Sequence, residues 1–128
     1  MATIRKIRVP GGLMWALLAA VAGGCTSSKD EHRQNAEAIQ RARLLLEQYD
    51  CGSCHIIPGV RRAQGLQGPS LNVYARRAYI AGEVPNRQEE LVRWLQHPRE
   101  LVPDTLMPDL GVSRAAAHDM SQYLMSLR

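Results

Sequence analysis

The sequence predicts an all-α domain, and three observations support this fold class. Three stretches carry apolar residues at the spacings of three and four that mark one face of a helix. The segments between them are rich in glycine and proline, which favours loops. No stretch forms a convincing strand with alternating apolar and polar residues. With 128 residues, the chain has room for one compact domain and little else.

The first predicted helix covers residues 35–49, and the second covers residues 87–97. Pro98 ends the second helix, because proline cannot continue the hydrogen-bond ladder. The apolar face of each helix consists of Ala38, Ala42, Leu45, Leu46 and Tyr49 in the first, and of Leu91, Trp94 and Leu95 in the second.

The last predicted helix runs from Ser113, a plausible N-cap, to the C-terminus. Its apolar stripe is formed by Ala116, Met120, Tyr123, Leu124 and Leu127. Residues 101–111, "LVPDTLMPDLG", precede it as a loop. Pro103 and Pro108 keep this loop extended, since a residue before proline is pushed out of the α region.

Residues 1–24 have the pattern of a secretory signal peptide. Basic residues come first, and the uncharged run "LMWALLAAVA" follows at residues 13–22. This run is shorter than the ~20 apolar residues needed to span a bilayer. An uncleaved anchor is the alternative interpretation.

Two cleavage sites are compatible with this signal. "AVA" at residues 20–22 suits ordinary signal peptidase, whereas "AGGC" at residues 22–25 resembles the lipobox of bacterial lipoproteins. The second site would leave an acylated Cys25, and two or more acyl chains give stable membrane anchoring. We therefore expect residues 25–35 to be an acylated cysteine with a flexible tether, and residues 36–128 to be the folded domain.

The charge distribution argues against nucleic-acid binding. The chain carries a net charge of +4, but three basic residues lie within the first eight positions and no acidic residue precedes Asp30. From residue 25 onward, 13 basic residues stand against 12 acidic ones. The arginine pairs at residues 61–62 and 76–77 are isolated, whereas a nucleic-acid footprint requires a wider basic stripe.

The most informative motif is "CGSCH", residues 51–55, and it has three interpretations. A thioredoxin-like dithiol would be expected near a βαβ pattern, and none is predicted. A zinc site needs four ligands, typically from a second CxxC or a pair of histidines at helical spacing, which the sequence does not offer. The third interpretation is c-type haem attachment, in which Cys51 and Cys54 bond to two vinyl groups and His55 is the proximal iron ligand.

The ordered set of motifs resembles the class I cytochromes c. It is similar in particular to the cytochrome c domains fused to subunit II of some bacterial terminal oxidases. The matching segments are "LLLEQYDCGSCH", "GPSL", "GEVPN", "LVRWLQHP", "LMPDLG" and "YLMSLR". The resemblance implies a small all-α cytochrome fold whose helices pack around one covalently attached haem c.

The resemblance also implies His55 and Met107 as the two axial iron ligands. Met107 lies 52 residues after His55, in the loop at residues 101–111. Met120 fits the stripe of the last helix and is interpreted as packing. The alternatives are that Met107 only fills the core, and that His97 or His118 provides the sixth ligand.

Three further roles follow from the resemblance. The Pro69 carbonyl is expected to accept a hydrogen bond from the proximal histidine, which fixes its tautomer. Trp94 is expected to donate to a haem propionate, with plain core packing as the alternative. Arg76 or Arg77 is a further candidate partner for a propionate, since a buried carboxylate requires compensation.

These features predict a monohaem electron carrier that is not itself an enzyme and has no catalytic residues. We expect it on the periplasmic side of the cell envelope as a membrane-anchored lipoprotein of the respiratory chain. Its partners would be a terminal oxidase, a dehydrogenase or another cytochrome, with the arginine pairs available to steer an acidic partner. The alternatives are a fixed haem c subunit of an oxidase or periplasmic dehydrogenase complex, and a haem peroxidase with an open sixth position.

Overall fold

The computed structural model describes residues 27–128. The proposed signal peptide (residues 1–24) and Cys25 therefore lie outside the described residues. Residues 34–128 form one compact unit. Four helices hold about half of the described residues, and a two-stranded sheet lies between the first and second of them.

Helix α1 spans Ser27–Gln48 and begins well before the expected start at residue 35. Residues 29–37 are exposed, whereas Ala42 and Leu46 are each only 1% exposed. Only the second half of the helix thus has the apolar face that the periodicity indicates. Helix α1 thus begins inside residues 25–35, the segment expected to be a flexible tether.

The chain leaves α1 through Asp50, which takes a left-handed conformation with φ of 52°. Aspartate tolerates this region better than most side chains do. A single 3-10 turn, Cys51–Ser53, follows at once. A second one, Tyr74–Arg76, follows a long loop over residues 56–73.

The expectation that the chain contains no strand is wrong in one place. Strands β1 (Tyr79–Ile80) and β2 (Val84–Pro85) pair antiparallel. Ala81 and Gly82 turn the chain between them with positive φ values of 49° and 82°. Strands of two residues are too short to show an alternation, so their sequence carries no strand signal.

Helix α2 spans Gln88–Gln96, within one residue of the expected range, and buries Leu91, Val92, Trp94 and Leu95. Pro98 ends α2 as expected, but it also starts the short helix α3, Pro98–Leu101. Proline suits the first turn of a helix, where its missing N–H leaves no bond unmade.

Helix α4 spans Arg114–Ser126, and Ser113 is its N-cap, as the sequence indicates. The Ser113 hydroxyl accepts a hydrogen bond from the Ala116 N–H at 3.3 Å. Helices α2 and α4 pack against each other. Between them the buried Ser121 hydroxyl accepts a hydrogen bond from the Gln88 side chain at 2.6 Å.

Two side-chain contacts join α1 to α4. Arg41 forms an ion pair with Asp119 at 3.4 Å, and the Arg43 guanidinium donates to the Tyr123 hydroxyl at 3.2 Å. The Tyr123 hydroxyl in turn donates to the Pro58 carbonyl. Across residues 27–128, none of the helices combines the length and apolar character that a membrane span requires.

Candidate functional site

A cavity of about 610 Å³ opens among α1, the loop that follows it, α2 and the loop before α4. Its walls are mostly apolar, and its volume falls in the range of ligand and cofactor sites. Six residues that the sequence singles out line it together: Cys51, Cys54, His55, Pro69, Trp94 and Met107. Residues far apart in the chain therefore meet at one site.

One helical turn places the cysteines and the histidine. The N–H groups of Cys54 and His55 both donate to the Cys51 carbonyl, at 3.3 and 3.0 Å. Side chains three and four residues apart on such a turn lie on the same side. Cys51, Cys54 and His55 consequently face the cavity from one wall.

The chemistry of Cys51 does not suit a redox dithiol. Burial raises the pKa of its thiol to about 11, because desolvation disfavours the thiolate. An attacking thiol in an oxidoreductase has a lowered pKa instead.

No three His, Cys, Asp or Glu side chains within residues 27–128 come together in a way that could hold a metal ion.

The imidazole of His55 has a fixed orientation. Its Nδ1 lies 2.8 Å from the Pro69 carbonyl oxygen. A carbonyl only accepts, so Nδ1 carries the hydrogen and the neutral ring keeps its lone pair on Nε2. Gly68 lies against this ring, and a Cβ at that position would come within 2.4 Å of His55 Cε1. Only glycine allows the backbone this close.

Backbone hydrogen bonds connect the loop after His55 to residues 52–56. The Gly65 N–H donates to the Gly52 carbonyl at 3.0 Å, and the Gly68 N–H donates to the Cys54 carbonyl at 2.8 Å. The Leu71 N–H donates to the Ile56 carbonyl at 2.8 Å. The wall that carries His55 is thus held by the main chain itself.

Met107 lines the cavity from the loop between α3 and α4. Its side chain is half-buried and packs on the core, and its N–H donates to the Thr105 hydroxyl at 3.2 Å. Met120 is fully buried in the core and does not line the cavity, which confirms its interpretation as packing. His97 and His118 are exposed and lie outside the cavity lining.

The cavity also has a polar end that the sequence did not reveal. Tyr74 lines the cavity, and its hydroxyl is buried without a hydrogen-bond partner among residues 27–128. Burial raises the pKa of this phenol to about 12, so the hydroxyl keeps its hydrogen. Arg77 lines the cavity with its guanidinium 5.6 Å from the Tyr74 ring centre, whereas Arg76 is exposed and outside the lining. Trp94, 8% exposed, lines the cavity too.

No sequence pattern marks Tyr74 in advance. It follows a turn-rich loop and belongs to no periodic stretch. Its position in the cavity depends on how the loop at residues 56–73 folds back. The adjacent arginines could not be told apart either, because they follow each other in the chain and only the fold shows which one turns inward.

The chain is similar to a subunit of respiratory terminal oxidases. Cytochrome c oxidase subunit 2 of Alkalihalophilus pseudofirmus is 29% identical over 89 residues, which cover 69% of this chain and 25% of the relative. Cytochrome c oxidase subunit 2 of Bacillus subtilis is 26% identical over 113 residues, which cover 82% of this chain and 31% of the relative. The matched region thus spans a quarter to a third of these relatives.

No protein-family model matches the chain, and no solved structure matches it significantly. The similarity to an oxidase subunit supports a role in respiratory electron transfer.

Proposed function

We propose that this chain is a monohaem c-type cytochrome of class I that carries single electrons between redox partners in the bacterial cell envelope. The observation that carries this proposal is the composition of one cavity. Two thiols and an imidazole line it from a single helical turn, and the thioether of Met107 lines it from a distant loop. This donor set suits covalent attachment of haem and His/Met ligation of its iron.

The shape and polarity of the cavity also suit haem. Its apolar walls would cover a porphyrin, and residues such as Leu46, Leu91 and Leu95 supply them. The haem carboxylates need hydrogen bonds or opposite charge when buried. Tyr74, whose hydroxyl has no partner among residues 27–128, and Arg77, whose guanidinium already donates to the Ser70 carbonyl, line the same cavity and are candidates for this role. Trp94 is a further candidate donor there.

Within this proposal, Cys51 and Cys54 hold the haem covalently and His55 binds the iron through Nε2. The Pro69 carbonyl keeps the hydrogen on Nδ1 and so fixes the ligating tautomer. Met107 provides the sixth ligand. When bound, haem c supplies an iron that gains and loses one electron, and His/Met ligation leaves no position open for a substrate. The chain therefore carries electrons and is not an enzyme.

The place of action forms part of the proposal. A signal peptide over residues 1–24 and an acylated Cys25 would anchor the domain on the periplasmic side of the membrane, as a lipoprotein. Haem c is attached in that compartment, which agrees with an exported chain. Fatty-acid analysis of the mature protein after acid hydrolysis tests this anchor, and mature protein without lipid would contradict it.

A second candidate function is a fixed haem c subunit of a terminal oxidase. The similarity to two cytochrome c oxidase subunits 2 favours it. Membranes solubilised in detergent distinguish the two. A stoichiometric partner that co-purifies with the chain favours the fixed subunit, and recovery of the chain alone favours the carrier.

The axial ligand pair provides the sharpest test of the proposed site. Oxidised protein should show the weak Fe–S charge-transfer band at the red end of the spectrum. Met107→Ala should abolish this band while the haem stays attached through Cys51 and Cys54. Met120→Ala is the matched control and should keep the band, because Met120 lies in the core away from the cavity. Wild-type protein without the band would rule out Met107 as a ligand.

A further inference from the structure

We propose that His97 and Asp109 form a latch that positions Met107 at the cavity. The Asp109 carboxylate, two residues after Met107, faces the His97 ring at the end of α2, with Oδ2 3.3 Å from Nδ1. This inference rests on the proposed function, since it treats Met107 as the sixth ligand. His97 and Asp109 are positioning residues, because neither lines the cavity.

The Met107 loop has few other attachments. Within the described part of the chain, the latch is the only hydrogen bond between residues 106–111 and any residue outside 105–111. The two remaining bonds are local: the Met107 N–H donates to Thr105, and the Gly111 N–H donates to Asp109. Apart from Met107, which packs on the core, residues 106–111 are exposed, and Leu106 is 94% exposed.

Asp109 is suited to join the loop to α2 because its two oxygens have separate partners. Oδ1 accepts the Gly111 N–H at 2.9 Å and shapes the turn. Oδ2 is then directed at His97. The hydrogen bonds from Gly111 and His97 hold the pKa of this carboxyl below its usual range, so it is ionised around neutral pH.

Two hydrogen bonds hold the backbone of His97 in place. Its N–H donates to the Arg93 carbonyl at 2.8 Å, and its carbonyl accepts from the Glu100 N–H at 3.2 Å. Its backbone thus joins α2 to α3. The next residue, Pro98, is buried and restricts the chain further. An anchor at His97 therefore holds the loop against the helix that carries Trp94.

The latch should control how often Met107 leaves the iron. An external ligand can bind only when Met107 is displaced, so its apparent affinity scales with the open fraction. Both latch side chains are about half exposed, 52% and 50%. Removal of a contact of this kind should raise the open population about two- to fivefold.

The experiment is an imidazole titration of the oxidised, haem-containing full chain at pH 7. His97→Ala should tighten apparent imidazole binding about two- to fivefold. Asp109→Asn keeps an oxygen for the Gly111 N–H but removes the charge that faces His97, and should also tighten binding. The double variant should bind no more tightly than the stronger single variant. His97→Gln, which keeps a hydrogen-bond donor, should return the affinity toward the wild-type value.

His118→Ala is the matched control, because His118 is an exposed histidine on α4 outside the cavity lining. It should bind imidazole as the wild type does. Equal affinities of the wild type and His97→Ala would overturn the latch, as would additive effects in the double variant. Wild-type protein that lacks the Fe–S band would instead contradict the role of Met107 itself, so the two failures are distinguishable.

Discussion

The two walls of the cavity are built in different ways. The wall that carries His55 is tied by main-chain bonds from Gly65, Gly68 and Leu71, and glycine lets its backbone lie against the imidazole. The wall that carries Met107 is an exposed loop, and no backbone–backbone hydrogen bond involves residues 106–112 of the described chain. Main-chain bonds thus hold the His55 wall, whereas side-chain contacts hold the Met107 loop.

This difference indicates where the site can move. Segments with few buried contacts and few backbone bonds open at low free-energy cost. The His55 wall should therefore stay in place while the Met107 loop opens and closes. The proposed function requires an iron without an open coordination position. The Met107 loop would therefore determine how often such a position opens.

The largest expected effect comes from a substitution in the His55 wall. Gly68→Ala would place a Cβ 2.4 Å from His55 Cε1, so the ring or the backbone must shift. We expect a loss of about 3 kcal/mol in unfolding free energy, or a protein that does not mature. Gly111→Ala is the control: it lies outside the cavity lining and has no neighbour within 4 Å but a φ of 65°, and should cost about 1 kcal/mol. Equal losses in guanidinium unfolding would contradict the close packing at His55.

Hydrogen exchange compares the two walls directly. The amides of Gly65, Gly68 and Leu71 should exchange on the order of 100-fold more slowly than those of Leu106 and Leu110. Exchange measured by NMR on the haem-containing protein gives these rates residue by residue. Similar protection of both loops would show that the difference in hydrogen bonding does not govern local opening.

Tyr74 combines features of both walls. Its backbone N–H is hydrogen-bonded, but its side-chain hydroxyl is not. Its N–H donates to the Leu71 carbonyl at 3.2 Å, whereas its buried hydroxyl has no partner in the described part of the chain. If a haem carboxylate pairs with this hydroxyl, Tyr74→Phe should cost about 1 kcal/mol in unfolding free energy of the haem-containing protein. Tyr79→Phe, at an exposed position, should change it by less than about 0.5 kcal/mol. A Tyr74→Phe protein as stable as the wild type would contradict the pairing.

The smallest expected effect on stability concerns one ion pair in the loop that forms the His55 wall. Arg61, in the loop at residues 56–73, forms an ion pair with Glu47 of α1, and Arg61 Nη2 lies 3.0 Å from Glu47 Oε2. The Arg61 side chain, and then its backbone N–H, lower the pKa of Glu47 from its ordinary value of 4.5. A lowered folded-state pKa stabilises the fold above that ordinary value, and the gain is lost as the pH falls through the folded-state pKa.

Glu47→Gln should therefore lower the urea midpoint slightly at neutral pH and leave it unchanged in strong acid. The effect should be slight because the pair is solvent-exposed and the loop has other ties. Unfolding curves of both proteins between about pH 3 and pH 7 measure it. A difference that stays constant across this range would contradict the ionic origin.

The sequence predicts helices best where packing requires apolar residues at regular helical spacing. Helices α2 and α4 lie within one or two residues of the expected bounds, because their apolar residues pack together in the core. The start of α1 was misplaced, since its first half is polar on all sides and shows no stripe. The hairpin at residues 79–85 and helix α3 are too short for any period to show.

The site follows a similar rule. Cys51, Cys54 and His55 stand together in the chain, and the resemblance to class I cytochromes c points to Met107, Pro69 and Trp94. Tyr74 and the latch at Asp109 have no sequence signal, because contacts across the fold create their roles. Whether Met107 binds iron, and whether Cys25 carries lipid, stay predictions.

The most direct test of the central claim is the mass of the peptide that contains Cys51, Cys54 and His55. The full chain would be produced with signal and haem-maturation machinery, purified, denatured and digested. The account predicts that this peptide carries the added mass of one haem, held through both cysteines and resistant to acidified acetone. A peptide with two free thiols, from protein exported by a host that matures other cytochromes c, would contradict it.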